Sequence, residues 1–237
     1  MANDQEKEAA ARASLRFVKD GQVVGLGTGS TAAYFIRLLG ERVNDGLRIR
    51  GIPTSERSQE LAGSLGIPLT TLDECQEIDL TVDGADEVDE QLRLIKGGGG
   101  ALLREKIVAS ATKQLVIVAD ATKRVPVLGR FPLPVEVIKF AQALVAKRIE
   151  GLGAEVRLRR EANGNPYLTD ENNYILDCRF GRIPDADQLA GRLSNMPGVV
   201  EHGLFLGMAS VVIVASGSET IELRAGSGFP SESWNQG

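Results

Sequence analysis

Short apolar runs alternate with amphipathic stretches along this chain, and the alternation sets its expected architecture. Gln5 to Val18 has the period of an opening helix. Gln22 to Gly27 is a short apolar strand ending in glycines, and Ser30 can cap a helix running to about Leu39. Leu47 to Pro53 reads as a strand, with Thr54 or Ser55 capping a helix to Leu65. Ile78 to Val82 is a strand of the fully buried type. Gly100 begins a helix through Ala111, and Gln114 to Ala119 forms the next strand. Strands alternating with helices predict a mainly parallel sheet covered on both faces, a Rossmann-like α/β domain.

The rhythm changes after Gly129, where Pro132 and Pro134 break the chain. Val135 to Ile138 (strand), Phe140 to Leu152 (helix) and Ala154 to Arg159 (strand) follow, then a turn at Asn163-Gly164-Asn165-Pro166. Tyr174 to Arg179 (strand), Asp185 to Asn195 (helix) and Val199 to Leu206 (strand) complete the set. The order β-α-β-β-α-β is that of a ferredoxin-like α+β module. Val211 to Ala215 and Thr220 to Leu223 read as strands returning to the first domain. The expected division is therefore 1–129 with 207–237 as the Rossmann-like domain, and 130–206 as the smaller ferredoxin-like one. Ser227 to Gly237 is polar and glycine-rich and is expected to fray.

Composition narrows the classes of function. The 237 residues are 43% hydrophobic and 25% charged, ordinary globular values. A net charge of -5 without a long basic run argues against a nucleic-acid surface. The longest apolar runs, such as Leu115 to Ala119, are strand-sized, so no membrane helix is expected. The first residues, with Asp4, Glu6, Lys7 and Glu8, lack the apolar core of a secretory signal. Cys75 and Cys178 lie far apart and read as reduced packing residues of a cytoplasmic protein. The single histidine, His202, falls in a strand-like run and reads as a structural or interface residue. A histidine-rich zinc site is excluded, and proton transfer falls to carboxylates and lysines.

Three loops carry candidate chemistry. In Lys96-Gly97-Gly98-Gly99-Gly100, four glycines precede a run of helix formers. This reads as a loop opening a helix, whose bare N–H groups and positive dipole end attract anions. Lys96 stands at the entrance and Glu105 about one turn inside, a pairing suited to creating a negative oxygen while a carboxylate moves a proton. Glu105 shares its face with Ala101, Val108 and Ala109, and such surroundings lift a carboxylate's proton affinity towards neutrality. An acid there equally serves to offset the dipole, and Lys96 equally suits a solvated strand end.

Gly25-Leu26-Gly27-Thr28-Gly29-Ser30-Thr31, between a strand and a helix, fits phosphate binding through backbone N–H groups and hydroxyls, or simply a tight turn. It is neither a dinucleotide fingerprint nor a P-loop. Asp83-Gly84-Ala85-Asp86-Glu87-Val88-Asp89-Glu90 follows the strand Ile78 to Val82, where α/β sheets bind ligands. Asp83, as the first residue off that strand, is the one expected to face a site, with Asp86. Glu87, Asp89 and Glu90 read as solvated or capping acids. Lys123, just past the strand Gln114 to Ala119, would alone be an ordinary surface lysine.

Jointly these motifs resemble type A ribose-5-phosphate isomerases. Gly25 to Thr31, Asp83 to Glu87, Lys96 to Gly99 with Arg104-Glu105-Lys106, and Leu133-Pro134-Val135-Glu136-Val137 stand in the family's order and spacing. Pro197-Gly198-Val199-Val200 and Gly203-Leu204-Phe205 extend the resemblance, which spans roughly residues 5 to 225. It implies interconversion of D-ribose 5-phosphate and D-ribulose 5-phosphate through an enediolate, without metal or cofactor. It implies that Glu105 is the base moving a proton between C2 and C1, and that Lys96 is the cation beside the developing negative oxygen. Asp83 and Asp86 would handle the sugar hydroxyls and help open the ring. Thr28, Gly29, Ser30, Thr31 and Lys123 would hold the sugar phosphate, with Lys7 joining at the phosphate. Gly84, Ala85, Gly97, Gly98 and Gly99 would line the substrate. It also implies a homodimer or tetramer.

Two other readings stay open. A sugar-phosphate sensor would have this shape, although the chain carries no attached helix-turn-helix. A coenzyme A transferase would use Glu105 as a nucleophile and form a covalent adduct with acyl-CoA. Neither explains Lys96 together with Asp83 and Asp86.

Overall fold

The structure is a computed structural model that describes residues 2–217 and 219–224. Helix α1 (Ala2–Ser14) opens the chain, followed by β1 (Val23–Leu26), α2 (Ser30–Asn44), β2 (Arg50–Pro53) and α3 (Glu56–Ser64). Next come β3 (Leu80–Gly84), the short strands β4 (Glu87–Val88) and β5 (Leu94–Ile95), α4 (Leu102–Ser110) and β6 (Leu115–Asp120). The second part holds β7 (Leu133–Val137), α5 (Gln142–Glu150), β8 (Glu155–Leu158), β9 (Tyr174–Arg179), α6 (Ala186–Ser194) and β10 (Val199–His202). The described chain closes with β11 (Leu204–Phe205), β12 (Val211–Ser216) and β13 (Glu219–Arg224).

The main sheet runs β13-β12-β6-β3-β1-β2, parallel except for the edge strand β13. Its centre is buried on both faces, which is why β6 is apolar from Leu115 to Ala119 and β12 from Val211 to Ala215 rather than alternating. Val116, Val118, Val211 and Ile213 pack under α1, α2 and α3, against Ala10, Phe35 and Leu39. Leu115, Ile117, Val212 and Val214 face the other way, towards Ala109 of α4 and Phe205. Area lost to water on both sides, at about 25 cal/mol per Å² of apolar surface, is what fixes the helices onto the sheet.

The second sheet is antiparallel in the order β10-β7-β9-β8, the ferredoxin-like arrangement, with α5 and α6 packed on one side. A third sheet, β11-β5-β4, was not expected from the sequence. The apolar run Val199 to Leu206 splits at Gly203, whose N–H donates to Pro134 O at 2.8 Å and whose carbonyl accepts from Lys96 N at 2.9 Å. That break lets one segment serve two sheets and anchors the backbone of Lys96. On the far side of α4, Arg104 reaches Glu171 at 2.6 Å and Asp170 at 3.4 Å, a further tie between the two halves.

Several boundaries moved. The strand expected to stop at Val82 continues through Gly84, so Asp83 is a strand residue rather than the first one off it. Helix α4 begins at Leu102, not Gly100. Gly29, not Ser30, occupies the cap position of α2, with a φ of 109°. The expectation for Ser227 to Gly237 lies outside the described residues. Among the described residues no helix is long and apolar enough to cross a membrane, and Cys75 and Cys178 are free thiols.

Candidate active site

The carboxyl ends of β1, β3 and β6 and the loop before α4 converge on one cavity of about 130 Å³. A site beyond the strand ends is where the peptide geometry of a parallel sheet leaves loops and helix N-termini facing a ligand. Lys7, Thr28 to Thr31, Gly84 to Asp86, Lys96, Gly97, Gly99, Glu105 and Lys123 all line it. Two residues expected at the substrate do not: Asp83 is buried against Lys96, and Gly98 is exposed to solvent with its N–H on Asp86. One lining residue was missed, Asp120, whose Oδ1 accepts from Thr122 N at 3.0 Å and so caps the turn carrying Lys123. The Asp-x-Thr spacing was the sequence signal for it.

Lys96 is 2% exposed, and its ammonium is the hub of the cavity floor. Nζ lies 2.9 Å from Asp83 Oδ2, 3.6 Å from Glu105 Oε1 and 2.5 Å from the carbonyl of Gly84. The ring of Phe205 covers it, with the nitrogen 5.4 Å from the centroid. Burial alone would lower the Lys96 pKa, but the carboxylates of Asp83 and Glu105 beside it raise it, so the group stays an ammonium. A solvated strand end is therefore the wrong picture for Lys96.

Asp83 is fixed on both oxygens. Oδ2 meets Lys96, and Oδ1 accepts from Thr28 N at 3.0 Å and Gly84 N at 2.7 Å. Burial pushes its carboxyl up, opposed by Lys96 and these two N–H groups. Asp86 is half-buried and faces the cavity, with Oδ2 accepting from Gly98 N at 2.7 Å. Two glycines are obligatory for these acids. A Cβ on Gly27 would stand 2.2 Å from the Asp83 carboxylate, and one on Gly98 would stand 2.5 Å from that of Asp86.

Glu105 lies in the first turn of α4, on the buried stripe of Leu102, Val108 and Ala109. It is 3% exposed, and its Oε2 has no hydrogen-bond partner. Burial, opposed by Lys96 and reinforced by Asp83 and Asp86, pushes its pKa from 4.5 to about 8. Offsetting a helix dipole does not require a buried carboxyl with an idle oxygen. An acid poised near neutrality beside an ammonium is suited to take a proton from carbon and return it.

The remaining lining is cationic or donor-rich. Ser30 and Thr31 open α2, where the first N–H groups have no intrahelical acceptor and the dipole is positive. Lys7 of α1 and Lys123 bring two ammonium groups to the same cavity. The hydroxyl of Thr28 instead turns inward, to Thr54 at 2.7 Å and Ser55 at 2.8 Å. Its contribution is its place in the loop and its N–H on Asp83. The lining thus puts cations and helix N–H groups beside a buried carboxyl–ammonium pair, a set suited to a dianion and to acid–base chemistry. Among the described residues no group of three or more His, Cys, Asp or Glu side chains is placed to hold a metal ion.

His202 stands outside this site. Its Nδ1 faces two donors, Leu204 N at 3.3 Å and Lys106 Nζ at 3.4 Å, so it accepts, which leaves the ring proton on Nε2, 3.1 Å from Ser194 Oγ. A nucleophilic serine needs the opposite arrangement. Burial and the neighbouring Lys106 hold the His202 pKa down at about 4, so the ring is a neutral structural element.

The chain matches the family model for ribose 5-phosphate isomerase A (phosphoriboisomerase A) over residues 50–219. It is 55% identical to ribose-5-phosphate isomerase A of Parvibaculum lavamentivorans, over 93% of this chain and 99% of that one. To the Sinorhizobium fredii enzyme of the same name it is 54% identical, over 94% and 98%. Among solved structures, a D-ribose-5-phosphate isomerase in complex with phospho-erythronic acid superposes with a TM-score of 0.91 at 40% identity, covering 94% of this chain and all of that one. Ribose 5-phosphate isomerase A from Methanocaldococcus jannaschii gives a TM-score of 0.88 at 44% identity, over 92% and 97%.

Proposed function

The chain belongs to the ribose 5-phosphate isomerase A family, and we propose that the cavity around Lys96 is where it interconverts D-ribose 5-phosphate and D-ribulose 5-phosphate. One observation carries this placement: Glu105 and Lys96, 3.6 Å apart and both buried, share a cavity with the N-terminus of α2. The phosphate rests on the N–H groups and hydroxyls of Ser30 and Thr31, between Lys7 and Lys123. Ionised Glu105 removes the proton from C2 of the open aldose. The carbonyl oxygen at C1 becomes negative, and the Lys96 ammonium stabilises that enediolate. The C2 hydroxyl then gives up its proton and O1 takes one, Glu105 returns the carbon-derived proton to C1, and the C2 carbonyl of the ketose forms. Asp86, at the cavity wall, holds sugar hydroxyls and assists ring opening. Asp83, behind Lys96, keeps the ammonium charged and aimed.

Phosphate contacts are made equally in the ground and transition states. Thr31→Ala should therefore raise KM for ribose 5-phosphate several-fold while kcat changes little, as measured by steady-state kinetics. A loss confined to kcat would remove Thr31 from the phosphate. The base must be ionised in the free enzyme. Since burial holds Glu105 at about 8, kcat/KM should climb with pH through an apparent pKa near that value. A profile flat from about pH 6 to 9 would sink the assignment. The direct test of the activity is turnover of ribose 5-phosphate by purified protein in EDTA.

The same proposal includes a homodimer acting in the cytoplasm, with domains 1–129 plus 207–237 and 130–206. Phe140, 98% exposed, with the exposed Ile138 and Leu144 near it in sequence, supplies apolar surface of the kind that self-association covers.

A further inference from the structure

The four-stranded sheet reaches the glycine loop through one side chain. Arg159, just past β8, is tied to Asp177 of β9, its Nε 3.0 Å from Oδ2 and its Nη2 2.5 Å from Oδ1. Both guanidinium–carboxylate contacts run in parallel, the geometry that best fixes an arginine. The remaining nitrogen, Nη1, donates to the carbonyl of Gly97 at 2.9 Å and to that of Gly98 at 3.3 Å. Tyr167 supports the group, with the guanidinium carbon 5.9 Å from its ring centroid.

A trans peptide is planar, so its C=O and the following N–H point in opposite directions. Holding the carbonyls of Gly97 and Gly98 towards the second sheet therefore turns the N–H groups of Gly98 and Gly99 towards the cavity. The first is seen doing so, since Gly98 N–H donates to Asp86 at 2.7 Å. The second belongs to a residue that lines the cavity, and it has no acceptor among the described residues. Glycines resist no rotation of these planes by themselves.

We propose that Arg159, held by Asp177, is a positioning residue that sets the peptide planes of the glycine loop, so that Gly98 N–H orients Asp86 and Gly99 N–H is presented to the oxygen that becomes negative. The inference rests on the cavity being the isomerase site. It assigns the four-stranded sheet a part in the chemistry, beyond packing.

The test is Arg159→Met in the full chain. Misaimed donors cost on the order of 100-fold in rate. We expect kcat to fall by about that factor with KM changed less than about threefold, because the phosphate end is untouched. Added methylguanidinium should restore part of kcat, and Arg159→Lys, which keeps one cation, should lie between. Inhibition by phospho-erythronic acid, whose planar carboxylate places charge near the loop, should weaken more than inhibition by inorganic phosphate. Arg160→Met, one residue on and bonded to Gly164, is the control with unchanged kinetics. If Arg159→Met does not fold, Arg159→Lys carries the test by the same split between the two inhibitors. Unchanged kcat, or equal weakening of both inhibitors, overturns the proposal. An inactive wild-type protein would instead overturn the functional reading beneath it.

Discussion

Glu105→Gln should remove nearly all turnover of ribose 5-phosphate and at the same time make the folded protein harder to unfold at alkaline pH. Glutamine keeps the size of the side chain and cannot accept the proton. General base catalysis is worth about 10²–10⁴-fold, and the loss in kcat should reach that range or exceed it. The stability gain follows from the raised pKa. An unfolded chain ionises this carboxyl near 4.5, whereas the folded one holds its proton to about 8. Below the lower value the buried acid is neutral in both states and carries no electrostatic penalty. As pH rises through the window, the unfolded chain releases the proton first and the stability margin shrinks. Above about 8 the loss is complete, of the order of a few kcal/mol from the size of the shift. Urea unfolding of both proteins at about pH 5 and about pH 9 reads this, and the difference should widen at the higher pH. Near-normal turnover, or a stability difference independent of pH, would take Glu105 out of the role.

The second large effect is at Lys96. Lys96→Met removes the charge while keeping most of the chain's volume. A preorganised donor to a developing oxyanion is worth about 3–4 kcal/mol, so kcat should fall by about 10²–10³-fold. Unlike the glutamate variant, this one should also be unstable. Asp83 is 1% exposed and would be left as an uncompensated buried charge, a defect that costs about 3–5 kcal/mol. Stability should return in part at acid pH, where Asp83 is protonated. It should also return in the double variant Lys96→Met/Asp83→Asn, which is expected to remain inactive. Because Lys96 is what lowers the Glu105 pKa, its loss should move any residual pH profile upward. A stable, fully active Lys96→Met protein would end the mechanism.

Much of this candidate site is legible in the order of residues alone. Glycines between an apolar strand and a helix marked both loops, because those conformations are dictated by neighbouring residues. The order of elements after Gly129 gave the antiparallel unit, since strand and helix periods are local properties. Asp83 was placed as a loop residue facing the ligand, and it is instead a strand residue under Lys96. A run of acids carries no mark of which one turns inward. Glu87, read as a solvated or capping acid, is fully buried and accepts the N–H groups of Gly129 and Phe131. That partner is 42 residues away for Gly129, beyond any window of sequence. Arg159 carried no signal at all, because its contact with Gly97 spans 62 residues.

Residue type and local order determined which chemistry was available: carboxylates and ammonium groups in place of histidine, helix starts for an anion, and bare glycines where main chain must be reached. Those follow from propensity and pattern, which act over a few neighbours. The tertiary structure decided which groups meet, that Lys96 lies within 3.6 Å of Glu105 and 2.9 Å of Asp83, and hence that burial raises both carboxyls against the pull of one ammonium, Glu105 to about 8. Distance and desolvation produce those shifts, and both exist only once separate loops have been folded into a shared, nearly dry space.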